Sequence, residues 1–195
     1  MGRVQAYDTD TVVRAARTVF WAQGYEAASL PELERATGLG RSSIYHAFGS
    51  KRGLFDAAVT SYLDEVIRPR LRPLEAEPVA ASAIVDYFVG LRAALARRGT
   101  SAGENGCLLL NTAGAPVAND PDVAAVIAGY RHDLHRALAA GVGAHDPELA
   151  EADRDQLAVL LSSLVVTAMT LVRVDPAQSV AVIDAALRLL SEARR

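Results

Sequence analysis

Ser29-Leu30-Pro31-Glu32-Leu33-Glu34-Arg35-Ala36-Thr37-Gly38-Leu39-Gly40-Arg41-Ser42-Ser43-Ile44-Tyr45-His46-Ala47-Phe48 spells two short helices and the turn between them. Ser29 and Glu32 have capping-box spacing, in which the hydroxyl and the carboxylate each satisfy a backbone N–H of the other's residue. Pro31 is tolerated because its missing N–H falls in a first helical turn. Leu30, Leu33 and Ala36 give this helix, residues 30–37, a buried side. Thr37-Gly38-Leu39-Gly40 turns the chain, since glycine reaches backbone regions closed to other residues. The second helix, residues 41–48, points Ile44 and Phe48 inward at i, i+4. Its remaining surface is polar: Arg41 and Tyr45 share one face, Ser42 and His46 the adjoining one, and Ser43 lies in the first turn.

Working outward, Val12, Val13, Ala16, Val19 and Phe20 lie on one face of a helix from Asp10 to Gln23, which Gly24 stops. Ser50 caps a helix carrying Leu54, Phe55, Ala58, Val59, Tyr62 and Val66, expected to run to about Arg68, where Pro69 and Pro73 interrupt it. Further helices are expected over Ala83 to Arg97, Asn105 to Ala115, and residues 121–140 after the Asp120-Pro121 cap. Gly99 to Glu104 reads as a loop and Pro116 to Asn119 as a turn. Asp153 to Val174 carries a wide apolar band, and in the helix after Asp175-Pro176 the residues Val180, Ile183, Leu187 and Leu190 make a coiled-coil-like stripe. No strand-like alternation competes, so the expected class is all-α, with residues 1–52 a three-helix helix-turn-helix unit, linked through helix 50–68 to a helical domain, 53–195.

The 195 residues are 51% hydrophobic and 22% charged, enough for a sizeable core. The formal net charge of −3 hides an asymmetry. Residues 1–52 carry seven basic against five acidic side chains, and the only lysine, Lys51, is among them. A general polyanion-coating protein would show a broad basic surface, against which a pI near 5.8 argues, but a small local nucleic-acid site remains open. The longest uncharged apolar-rich run, Leu157 to Val172, is short for a membrane span, and the N-terminus lacks the apolar core of a secretory signal, so a cytoplasmic protein without a membrane partner is expected. A lone Cys107 excludes an intrachain disulfide and a thiolate zinc cluster. His132 and His135 read as surface residues, so neither metal nor cofactor is expected. No Ser/His/Asp constellation, phosphate loop or catalytic carboxylate pair points to an enzyme.

Two helices around a glycine turn are the grammar of a DNA reader, in which the second helix enters the major groove and the first crosses the phosphate backbone. Any corner between two short helices imitates that spacing, so the pattern alone leaves a DNA head and a plain core corner open. The surrounding residues favour the first. Gly24-Tyr25-Glu26-Ala27-Ala28-Ser29-Leu30 and Ala36 through Lys51 closely resemble the TetR/AcrR family of bacterial transcriptional regulators, over roughly residues 9–60 and including a Tyr-x-x-Phe-x-x-Lys signature at Tyr45, Phe48 and Lys51. The resemblance implies that Ser29 and Lys51 contact phosphates of a double-stranded operator, while Arg41, Ser42, Ser43, Tyr45 and His46 lie at the groove. Gly40 departs from the serine or threonine common there and leaves the groove helix without a side-chain cap. Gly49 stands where proline is common.

Beyond residue 70 the resemblance rests on helix order and on Gly106-Cys107-Leu108-Leu109-Leu110-Asn111 and Asn119-Asp120-Pro121-Asp122-Val123. It implies a small-molecule effector held between helices and a homodimer formed through the last two helices. Tyr62, Tyr87, Phe88, Cys107, Asn111, Tyr130 and Met169 are the candidate pocket residues, each equally compatible with ordinary core. Leu157, Leu161, Leu164, Val180, Ile183, Leu187 and Leu190 are the interface candidates, on bands wide enough to meet both the protomer and a partner. The expected function is a ligand-responsive repressor of a pseudo-palindromic operator. The alternative is a redox or electrophile sensor using Cys107 with the same head.

Overall fold

The computed structural model describes residues 8–193, and among them helices follow one another with no strand. Three helices form the head: α1 (Thr9–Gln23), α2 (Leu30–Thr37) and α3 (Arg41–Phe48). Asp8 caps α1, and the Ser29–Glu32 capping box opens α2. Gly38 ends α2 at φ +70°, a backbone region that a Cβ would strain. Phe20, Leu33, Ile44, Leu54 and Phe55 are all fully buried and make the head's core.

Helix α4 (Lys51–Tyr62), capped by the Ser50 hydroxyl, packs on α1 and passes on into the body. A boundary after residue 52 therefore cuts the chain inside the first turn of a helix shared by both parts. Beyond Tyr62 the expected helix does not simply stop. It widens into a π turn (Leu63–Ile67), tightens into α5 (Arg68–Leu71) and ends in a 3-10 turn (Arg72–Leu74). Pro69 and Pro73 each fall in a first turn, where a missing N–H is tolerated, so the prolines re-aim the chain instead of ending it.

The body continues with α6 (Ala83–Ala96), α7 (Ser101–Asn105), α8 (Leu108–Ala113), a 3-10 turn (Pro116–Asn119), α9 (Pro121–His145), α10 (Glu151–Leu171) and α11 (Pro176–Ala193). Helix α7 stands where a loop was expected. The Thr100 hydroxyl accepts from the Gly103 N–H at 3.2 Å and the Glu104 carboxylate from the Gly99 N–H at 3.0 Å, local bonds to which hydropathy is blind. Helix α9 runs five residues past its expected end. Gly141 is a packing position there, since a Cβ would stand 2.6 Å from Leu74 Cδ2, and the His145 ring binds the Ala81 carbonyl at 2.9 Å and the Leu190 carbonyl at 3.3 Å.

Helix α10 packs between α9 and α11, and α11 covers α6. Helix α10 is long and apolar enough to cross a membrane, yet it buries Ala158, Leu161, Val165 and Ala168 within the bundle. One apolar core joins head and body without a break.

Candidate nucleic-acid interface

Helix α3 is anchored from below and free above. Ile44 is fully buried and Phe48 half-buried, whereas Arg41, Ser42, Ser43, Tyr45, His46 and Ala47 are exposed. Among the described residues, the side chains of Ser42, Ser43 and His46 form no hydrogen bond, and the Arg41 guanidinium lies only 5.7 Å over the Tyr45 ring, a contact it can leave. Gly40 makes no side-chain cap, so the N–H groups at the start of α3 keep their capacity for an acceptor. This face offers forked, hydroxyl and imidazole donors on a cylinder thin enough for a major groove.

Two residues flank it. Lys51 Nζ stands 4.7 Å from the centroid of the Tyr25 ring and donates to the Glu26 carbonyl at 3.4 Å. Burial pushes this ammonium down from its ordinary pKa, with Glu26 opposing. The Tyr25 ring packs on Phe55 at 5.0 Å, and Phe55 meets Phe20 edge-on at 5.2 Å, so the lysine is seated on an aromatic stack rooted in the core. Ser29 is exposed at the start of α2, but its hydroxyl already donates to the Glu32 carboxylate at 2.7 Å and accepts from the Glu32 N–H at 3.4 Å.

Polar ties that sequence reading missed hold the head on the body. Arg52 grips Asp120, the cap of α9, with two bonds of 2.6 and 3.1 Å. The pair pulls the Asp120 carboxyl down to about 2. Glu26 accepts from the Val117 N–H at 2.7 Å, Trp21 Nε1 donates to the Gly106 carbonyl at 3.2 Å, and Arg173 donates to the Trp21 and Ala22 carbonyls. These partners lie 68 to 152 residues apart in the chain, beyond the reach of any local pattern.

The candidate pocket residues do not share one cavity. Tyr62, Cys107 and Tyr130 form a buried cluster, with Cys107 Sγ 3.9 Å from the Tyr130 hydroxyl; burial first, and then Cys107, raises both phenol pKa values. Phe88 and Met169 are core, and Asn111 donates to the Asn105 carbonyl at 2.7 Å. Tyr87 lines a cleft of about 530 Å³ between the 69–82 segment and α6. Tyr130 borders a second, of about 520 Å³, on the opposite side of α5.

Among the interface candidates, Leu161, Ile183 and Leu190 are buried inside the protomer and are not available to a second copy, because α10 and α11 spend those positions on each other and on α6 and α9. Leu157, Leu164, Val180 and Leu187 are not placed that deeply: Leu157, Leu164 and Leu187 are half-buried against the core. The apolar surface of α10 lies one step round the helix, at Val159 and Leu160, 52% and 48% exposed.

Residues 12–58 match the profile of the bacterial regulatory proteins of the tetR family. The chain is 34% identical over 122 residues to the HTH-type transcriptional repressor ComR of Escherichia coli K12, covering 60% of this chain and 58% of that one. It is 36% identical over 125 residues to the HTH-type transcriptional regulator YezE of Bacillus subtilis 168, covering 64% and 62%. Each match thus spans less than two thirds of the relative. A solved structure of the TetR family regulator CifR, a cysteine mutant complexed with 26 bp double-strand operator DNA, superposes with a TM-score of 0.77 at 30% identity, over 96% of this chain and 98% of that one.

Proposed function

Because the chain belongs to the TetR family of bacterial regulatory proteins, we propose that it is a cytoplasmic DNA-binding transcriptional repressor, released from a pseudo-palindromic operator by a small molecule. The observation that carries this reading is the exposed polar face of α3, with Ile44 locked beneath it and Lys51 braced beside it. Arg41 supplies a fork suited to guanine O6 and N7, Tyr45 an aromatic edge and a hydroxyl, and Lys51 a point charge for phosphate. At Ser29 the hydroxyl and the backbone N–H are engaged in the capping box, the Glu32 N–H is capped and Pro31 has none, so a phosphate there is met by the Leu30 N–H.

A homodimer across the exposed side of α10 and the outer face of α11 would set two such helices about 34–36 Å apart on one side of a duplex. An effector then acts by preferring the conformer with the wrong head spacing, and the effect is bounded by its differential affinity for the two states. The thiol reading rests on Cys107 beside the Tyr130 hydroxyl, yet a sulfur with 0% exposure meets a solute only if the body opens locally. Enrichment of bound duplexes from a random library tests the proposal. A two-fold-related motif bound by the parent and lost with Arg41→Ala and Tyr45→Ala is expected; equal enrichment by all three proteins refutes it.

A further inference from the structure

The cleft between the 69–82 segment and α6 has a chemical character that the proposed function leaves open. Its walls are largely apolar, with Pro69, Pro73 and Leu91 among them, and two charges reach it, Arg70 and Asp86. Arg70 is half-buried and, among the described residues, forms neither an ion pair nor a hydrogen bond; of the other half-buried arginines, Arg17, Arg52 and Arg154 have acceptors and Arg131 of α9, which does not line this cleft, has none. Its charge reaches the phenols of Tyr62 and Tyr87, where it opposes the rise that burial imposes on both. A half-buried guanidinium without an acceptor is a binding half-site for an anion. Asp86 is exposed on the rim, where it repels a second negative charge.

Gly90 adds a separate observation. It lies in the middle of α6, where glycine weakens a helix, and no left-handed backbone requires it. A Cβ built there meets nothing within 4 Å, so close packing does not require it either. What the absent side chain leaves is space, on the wall of this cleft, one helical turn from Tyr87.

We infer that this cleft is a binding site for a small amphiphilic monocarboxylic acid, its carboxylate on the Arg70 guanidinium and its apolar body along Pro73, the Tyr87 ring, Leu91 and the space over Gly90. The inference rests on the regulatory reading only in taking this acid for the effector. The segment it would press, residues 68–74, continues through the π turn into α4, whose first turn carries Lys51 and Arg52.

Calorimetric titration of the full chain without DNA, with 4-phenylbutanoate, its amide and the matching amine, tests the site. The acid binds, the amide and amine bind at least about tenfold more weakly, and Arg70→Gln erases that preference. Gly90→Leu fills the cleft and abolishes binding while circular dichroism and the unfolding midpoint stay those of a folded protein. The inference is overturned if the parent binds none of the three, if the amine binds best, or if Arg70→Gln and Gly90→Leu bind the acid as the parent does. An acid that binds while the protein stays on its selected duplex counts against the effector role, not against the site.

Discussion

Lys51→Met is the sharpest test of the DNA head, because it separates the phosphate contact proposed for Lys51 from the brace on Tyr25 that the structure gives the same side chain. Methionine keeps an unbranched stem that can lie across the Tyr25 ring but carries no charge. If Lys51 neutralises one phosphate per head, a dimer loses two contacts, and the slope of log affinity against log salt becomes shallower by about 1.8. Raising salt from about 50 to about 200 mM then narrows the affinity gap between parent and variant roughly tenfold. Fluorescence anisotropy on one selected duplex at four or five salt concentrations reads both numbers. The lost ammonium–ring contact destabilises the head by about 0.5–1 kcal/mol, which urea denaturation measures separately. Burial already holds this ammonium below its ordinary pKa, so parental affinity also falls earlier on the alkaline side than an exposed lysine would allow, and the variant lacks that fall. Parallel salt slopes for the two proteins would refute the phosphate role and leave Lys51 only a brace for Tyr25.

Ile44→Ala removes the fully buried anchor of α3 and should cost about 2–5 kcal/mol in chemical denaturation, with operator affinity falling alongside. Asp120, held at about 2 by Arg52 against about 3.9 when unfolded, contributes stability that is complete above about pH 4 and disappears as pH falls toward 2. Asp120→Asn should therefore flatten the acid limb of stability against pH between those values, followed by tryptophan fluorescence; an unchanged limb would exclude the Arg52 pair as its source. Cys107→Ser should leave release from the operator by peroxide or by an effector as it is in the parent, read in a mobility-shift titration. Loss of the response in the serine variant would establish the thiol mechanism.

The elements most legible beforehand were those written in local chemistry. Ser29 and Glu32 announced α2, Gly38 its end and Asp120-Pro121 the start of α9, because each signal acts within one helical turn. Helix α7 escaped because its evidence is a threonine hydroxyl and a glutamate carboxylate bound to nearby N–H groups, in a stretch with no apolar periodicity. The path beyond Tyr62 is not legible in the sequence because proline forbids one backbone bond without specifying what replaces it. The interface and pocket residues were the least legible. An apolar band as wide as that of α10 shows that two sides are covered but not which leucine faces which neighbour, and the structure turns Leu161 inward and Val159 outward.

Sequence alone determined the all-helical class, the helix-turn-helix order and the side of α3 that stays polar, since capping, glycine turns and the 3.6-residue period are properties of neighbouring residues. Only the tertiary structure decided how the head is seated, through Arg52 on Asp120, Glu26 on Val117 and Arg173 on the end of α1, and which phenols gather around Cys107. The reason is one of range. A cap or a helical face is satisfied within a few residues, whereas a buried charge or a cleft takes its partners from helices that meet only when the whole chain has packed.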